Sequence, residues 1–178
     1  MIKKMIQWFE KYASKNKLLL NYYIKKYDKI IENEINLVGI TQEDNVLFIG
    51  SGAIPFTPIL MALKTKASVT AIDSDHKAIK TAKKVVKKYG LSHLITIKRQ
   101  DGQTLKNHAY SIVVLALQVT PLRIIVSNIM QPDTKIVIRQ PFEHYKHLYD
   151  CIDDSFKIIK QVNQPMKYFG TSMWVEKL

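Results

Sequence analysis

From Asn45 onward the sequence repeats one theme, a short apolar strand followed by an amphipathic helix, and few folds accommodate that alternation. Residues 46–50 (VLFIG) are a compact run of the kind buried on both faces. Residues 55–64 follow as a helix with proline in its first turn. Ser68–Asp73 is a second strand, 75–89 a strongly amphipathic helix closed by Gly90, 94–98 a third strand and 111–117 a fourth. Residues 121–130 form a helix again opened by proline, 135–139 a fifth strand, and a helix over 142–150 is expected after it. Strands joined by helices need crossover connections, which give a parallel sheet covered on both sides. In the tail, 156–162 and 171–177 flank a run of turn-formers and predict an antiparallel hairpin. The whole is a doubly wound α/β fold around a mostly parallel seven-stranded sheet.

Residues 1–40 have a different texture. No glycine interrupts the first 38 residues. Apolar side chains recur at helical spacing over 1–12, with Trp8, Phe9 and Tyr12 on one side, and again over 17–37. In the second stretch Tyr23, Tyr27, Ile30, Ile31 and Glu34 follow one another at helical steps. Two helices are expected, the second stopped by Gly39, forming a helical lid (1–40) on a ligand-binding domain (41–178).

Composition narrows the class further. The 27 Lys+Arg outnumber the 15 Asp+Glu for a net charge of +12, a field that attracts anionic partners. However, Lys77, Lys80, Lys83, Lys84, Lys87 and Lys88 fall along one helical stretch and read as its solvated face. Cys151 is the sole cysteine, which excludes an internal disulfide and a thiolate metal cluster and fits a reducing, cytoplasmic setting. The longest apolar run, 112–117, is far too short for a bilayer, and the N-terminus has no export signal, so no membrane partner is expected. His144 and His147 are three apart but belong to no ligand motif, so no metal site is expected.

The turn after the first strand reads FIGSGAIPFT. Gly50 and Gly52 let the backbone reverse and approach a ligand without an intervening Cβ, with Ser51 and Ala53 completing the turn. Open α/β sheets bind ligands beside such a turn, at the carboxyl ends of their strands. Asp73 ends the second strand, 21 residues beyond Gly52, where a carboxylate accepts both hydroxyls of a ribose. Helix capping is its other reading, a role that Ser74 or Asp75 fills equally well. A nicotinamide dinucleotide needs a small residue two positions after Gly52, beside the pyrophosphate; that position holds Ile54. An adenosyl sulfonium has no phosphate, so S-adenosylmethionine is the expected cofactor. Asp101 and Gly102 follow the third strand, and Ala116, Leu117 and Gln118 end the fourth, where sulfonium and acceptor would meet. The aromatic tetrad N-P-P-Y or D-P-P-Y that clamps a base or amide nitrogen is missing.

Five strand–helix units with a terminal hairpin resemble the class I methyltransferase fold. A narrower resemblance lies in IGSGAIPFTPILMA (49–62), where proline stands three residues after the second glycine. This G-x-G-x-x-P-x-T turn is similar to that of nicotianamine synthase and its bacterial and archaeal metallophore-forming relatives. Tyr27 and Glu34 match a tyrosine and a glutamate seven apart before that family's first strand, and the likeness runs to the last strand, TSMWVEK. The resemblance implies a cofactor pocket lined by Gly50, Ser51, Gly52, Asp73, Asp101 and Gln118, with Asp101 at the adenine amine and Tyr27 and Tyr23 closing over it. It also implies transfer of an aminocarboxypropyl group to an amine, with methylthioadenosine departing.

Two outcomes therefore stand open. Methyl transfer to a small molecule, anionic if the charge is a guide, is the first expectation from the fold; aminocarboxypropyl transfer is the alternative from the proline turn. RNA methylation is a third reading, motivated only by the charge. Glu34, Tyr23 or Tyr27 would take the acceptor's proton. The resembling family carries a sizeable N-terminal domain, and here only about 40 residues precede the first strand. A small acceptor, a homodimer completing the chamber, or different chemistry would each accommodate that.

Overall fold

A computed structural model describes residues 17–106, 109–166 and 169–177, with side chains described within 27–176 of these. The expected helix over 1–12, with Trp8, Phe9 and Tyr12, lies outside the described residues.

The chain runs α1 (Lys17–Val38), β1 (Asn45–Ile49), α2 (Phe56–Thr65), β2 (Ser68–Asp73), α3 (His76–Lys88), β3 (Ile95–Arg99), β4 (Ile112–Leu115), α4 (Leu122–Ile129), β5 (Lys135–Gln140), β6 (Phe156–Asn163) and β7 (Thr171–Lys177). Short 3-10 turns occupy Gly102–Thr104 and Glu143–Leu148. The sheet has seven strands in the order β3-β2-β1-β4-β5-β7-β6. The first five are parallel, and β7 enters antiparallel between β5 and β6. The expected hairpin is present, with a register shift between Ile158 and Lys160. β1 and β4 are the middle pair around which the chain winds in both directions, and a crevice opens where such a sheet reverses its strand order.

Alternation along β1 builds the two layers. Val46 and Phe48 face a core shared with Ile30 and Ile31 of α1, Ile59 and Met61 of α2, and Val85 of α3. Leu47 and Ile49 face the opposite core, with Val113, Leu115, and Leu122, Ile125 and Ile129 of α4. These central residues are buried on both faces, as their continuous apolar runs require.

Helix α3 illustrates how local sequence fixes an element. Ala78, Ile79, Ala82, Val85 and Val86 recur at helical spacing and are buried, while the lysines between them are exposed. Asp75 caps its start by accepting the Lys77 N–H at 2.7 Å. Past its end, Gly90 N–H donates to Lys87 O and Leu91 N–H to Val86 O, a Schellman arrangement. Helix α1 stops at Gly39, as expected.

One element differs from expectation. Residues 142–150 do not form an α-helix; they make the 3-10 turn Glu143–Leu148, in which no residue is buried. With no apolar stripe to bury, nothing drives a longer helix there. The segment instead delivers Asp150, whose Oδ2 accepts the Leu122 N–H at 2.6 Å and the Thr120 hydroxyl at 3.2 Å. No described helix is long and apolar enough to cross a membrane.

Candidate functional site

The carboxyl ends of β1, β2 and β4 open into a cleft of about 420 Å³. Its floor is the glycine turn. Gly50 and Gly52 have φ of 85° and 62°, in the left-handed region that glycine enters without strain. Gly50 N–H and Ser51 N–H both donate to Ile72 O, at 2.9 and 3.1 Å, and Gly52 N–H donates to Asp73 Oδ2 at 2.8 Å. The turn thus folds back over the end of β2. A Cβ on Gly50 would lie 3.0 Å from Val119 Cγ2 and 3.1 Å from Ala116 Cβ, so the loop after β4 packs where a side chain would stand.

Asp73 lines the cleft with each oxygen engaged once, Oδ2 by Gly52 and Oδ1 by the Asp75 N–H at 2.9 Å. Two backbone donors fix the carboxylate, and each oxygen keeps capacity for a ligand hydroxyl. Asp75, not Asp73, caps α3. Asp101 also lines the cleft, its Oδ1 accepting the Gln103 N–H at 2.9 Å. Beside it Gly102 is buried, and a Cβ there would meet Ile125 Cδ1 at 3.1 Å and Ile49 Cγ2 at 3.3 Å. Ser74, Ala116, Leu117 and Gln118 complete this part of the wall, whereas Ala53 packs against the core outside it.

The Ser51 hydroxyl is buried in the turn without a partner among the described residues. Buried polar atoms are normally hydrogen-bonded, and an orphan in a binding turn marks a place for a polar ligand.

The far wall holds a residue that sequence reasoning missed. Arg139, on β5, is only 7 % exposed and lines the cleft. Its Nε donates to Glu34 Oε1 and its Nη2 to Glu34 Oε2, both at 2.8 Å, and Nη2 also donates to Thr57 Oγ1 at 2.8 Å. Among the described residues Nη1 has no partner. Phe48 and Phe169 lie against the guanidinium, with ring centres 5.4 and 5.2 Å from Cζ. Burial pulls the guanidinium toward its neutral form, but the adjacent Glu34 carboxylate, with a contribution from Tyr27, holds its pKa above the ordinary value. The signal was present in KIVIRQ: a charge inside a strand buried on both sides must find a partner.

Glu34 is that partner, and its place corrects its expected role. It is fully buried, it is not part of the cleft wall, and it also accepts the Ser172 hydroxyl at 2.7 Å. A carboxylate so committed, behind the wall, holds Arg139 in position; it is not poised to take an acceptor's proton. Tyr27, two helical turns earlier on the same face of α1, does line the cleft, stacked on Phe56 at 5.4 Å. The Tyr23 side chain lies outside the described part of the structure. Met166 and Phe169 come from the β6–β7 connection, and nothing in the sequence placed them at the cleft.

The site is bipolar. Asp73, Asp75 and Asp101 bring three carboxylates, and Arg139 is the one cation among the described lining residues. A diol on Asp73, a ring flanked by Gly102 and Ile125, and an acidic group toward Arg139 are what such a cleft accommodates.

The sheet order, the crevice at the β1/β4 reversal and the glycine turn define a Rossmann-like fold of the class I methyltransferase type. Solved structures agree. MtNAS, as a point mutant in complex with S-adenosylmethionine, superposes with a TM-score of 0.81 at 19 % identity over 95 % of this chain and 70 % of that one. An RNA methyltransferase from Salinibacter ruber in complex with S-adenosyl-L-homocysteine gives 0.63 at 18 % identity over 84 % of this chain and 90 % of that one. The profile of the family described as nicotianamine synthase protein matches residues 4–169, and the chain belongs to that family. Among curated proteins, L-histidine 2-aminobutanoyltransferase of Yersinia pestis is 33 % identical over 69 residues, 39 % of this chain and 26 % of the relative. Its namesake in Pseudomonas aeruginosa is 25 % identical over 122 residues, 66 % of this chain and 46 % of the relative. The chain thus spans less than half the length of these relatives.

Proposed function

We propose that this chain is an S-adenosylmethionine-dependent transferase that moves an aminocarboxypropyl group to a small amine acceptor. Family membership across residues 4–169 is the observation that carries the reading, because the match takes in the glycine turn, Asp73, Asp101 and Arg139 together. Two curated relatives named for 2-aminobutanoyl transfer to histidine support it over the methyl transfer that the fold alone favours.

The cleft fits the cofactor on its own geometry. Asp73 would hold the ribose hydroxyls and Asp101 the adenine amine, while Gly102, whose missing Cβ lets Ile125 and Ile49 pack close beneath it, would lie against the ring. The orphaned Ser51 hydroxyl would find its partner in the same ligand. When bound, S-adenosylmethionine supplies a sulfonium that activates its attached carbons and departs as a neutral thioether. The protein's share is then positioning: whichever carbon stands in line with the acceptor nitrogen, at roughly 3 Å, is the one transferred. Phe48, Phe56 and Phe169 make this end of the cleft apolar, and Tyr27, a candidate base, lines it.

Turnover with amine and amino-acid acceptors tests the reading through its by-product. Methylthioadenosine is expected; S-adenosylhomocysteine would restore methyl transfer as the chemistry.

A further inference from the structure

The mechanism above leaves one buried charge half used. Arg139 spends Nε and Nη2 on Glu34 and Thr57, and both hydrogens of Nη1 remain without a partner among the described residues. A guanidinium that served only to tie α1 to the sheet would be sealed behind the wall, as Glu34 is. Arg139 instead forms part of the wall, 7 % exposed and with the rings of Phe48 and Phe169 close to it. Aromatic surroundings thin out competing water and lower the local dielectric, so an anion reaching Nη1 would bind strongly.

We propose that Nη1 of Arg139 is the anchor for an α-amino-acid carboxylate inside the cleft, with Glu34 and Thr57 fixing the direction in which it points. This rests on the transferase reading and deepens it. Glu34 already neutralises the guanidinium, so the ligand must carry its own compensating positive charge. A zwitterionic amino acid does so; a simple dicarboxylate or a phosphate ester does not. The opposing end of the cleft, with Asp73, Asp75 and Asp101, repels carboxylates and leaves Arg139 as their destination.

Two ligands bring such a group: the methionyl arm of the cofactor and an amino-acid acceptor. Calorimetry on the wild-type protein separates them without any mutation. If the methionyl arm is held, S-adenosylhomocysteine binds at least tenfold more tightly than its carboxamide. If the acceptor is held, the two nucleosides bind alike, and an amino-acid acceptor surpasses its own amide at least tenfold in kcat/KM. Arg139→Lys, and a doubly neutral Glu34→Gln, Arg139→Gln protein in which no charge is left unpaired, then attribute the preference. In either variant, provided its circular dichroism is native, the preference is expected to fall toward one while methylthioadenosine affinity stays within twofold. No carboxylate preference in the wild-type protein for either ligand overturns the proposal, as does a preference that survives in a folded variant. A wild-type protein that binds neither nucleoside fails differently: it removes the transferase reading itself.

Discussion

Gly50 sits at φ 85° with Val119 Cγ2 and Ala116 Cβ 3.0 and 3.1 Å from where a side chain would begin. Gly50→Ala meets both a strained backbone and closed space, and is expected to lose about 1–3 kcal/mol of stability together with nucleoside binding. Thermal unfolding and calorimetry on one preparation read both quantities; retention of both would remove the turn from the binding edge. Asp44 offers a pH test. Burial pushes its pKa up, but the Thr41 N–H at 2.8 Å, the Ser111 hydroxyl at 2.7 Å and the Thr41 hydroxyl at 3.1 Å, with Lys135 beyond, outweigh it and hold the pKa below 3.8. A carboxylate depressed by folding stabilises above its unfolded pKa and loses that contribution as pH falls through the folded value. Asp44→Asn should therefore lower Tm at neutral pH, and the gap should close as pH falls below the ordinary carboxylate range. A gap independent of pH contradicts the assignment. The sequence made Gly50 and Asp73 legible because spacing alone locates a glycine turn and the acid ending the next strand. Arg139 was not legible as a site residue. Its significance depends on Glu34, 105 positions away, and on Phe169 arriving from the β6–β7 connection.

Elements whose pattern is local were read with small errors in their ends. Helix α3 carries its own cap, stripe and stop in consecutive residues, and the strands are short apolar runs between turn-formers. The segment after β5 departs from expectation because aromatic and charged residues over 142–150 imitate helical spacing without supplying a buried face. Its contribution is made at a distance, through Asp150 at the start of α4, where Pro121 offers no side-chain cap. Asp150→Ala should cost about 1 kcal/mol. In a chain of this length that is a Tm fall of about 2–4 °C. An unchanged Tm would mean that solvent satisfies the Leu122 N–H equally well. Helix α1 belongs with the core in its C-terminal half: Ile30 and Ile31 are fully buried, and Glu34 ties it to β5 and β7.

Across the molecule, charge is segregated. The excess of lysine includes the exposed face of α3, while the cleft is acidic at one end and carries a single described cation at the other. Net charge thus says little about the ligand, and the arrangement of a few buried groups says more. Carboxylates at Asp73 and Asp101, a buried glycine beside Ile125 and an arginine with one nitrogen to spare are the groups on which the proposed nucleoside and amino-acid recognition rests. Which carbon moves is read most directly with two preparations of S-adenosylmethionine, one labelled in the methyl group and one in the carboxyl carbon, each incubated with the protein and an amino-acid acceptor. The account predicts that the carboxyl label passes to the acceptor while the methyl label stays with the departing nucleoside. Methyl label on the acceptor, with carboxyl label left on the nucleoside, would contradict it.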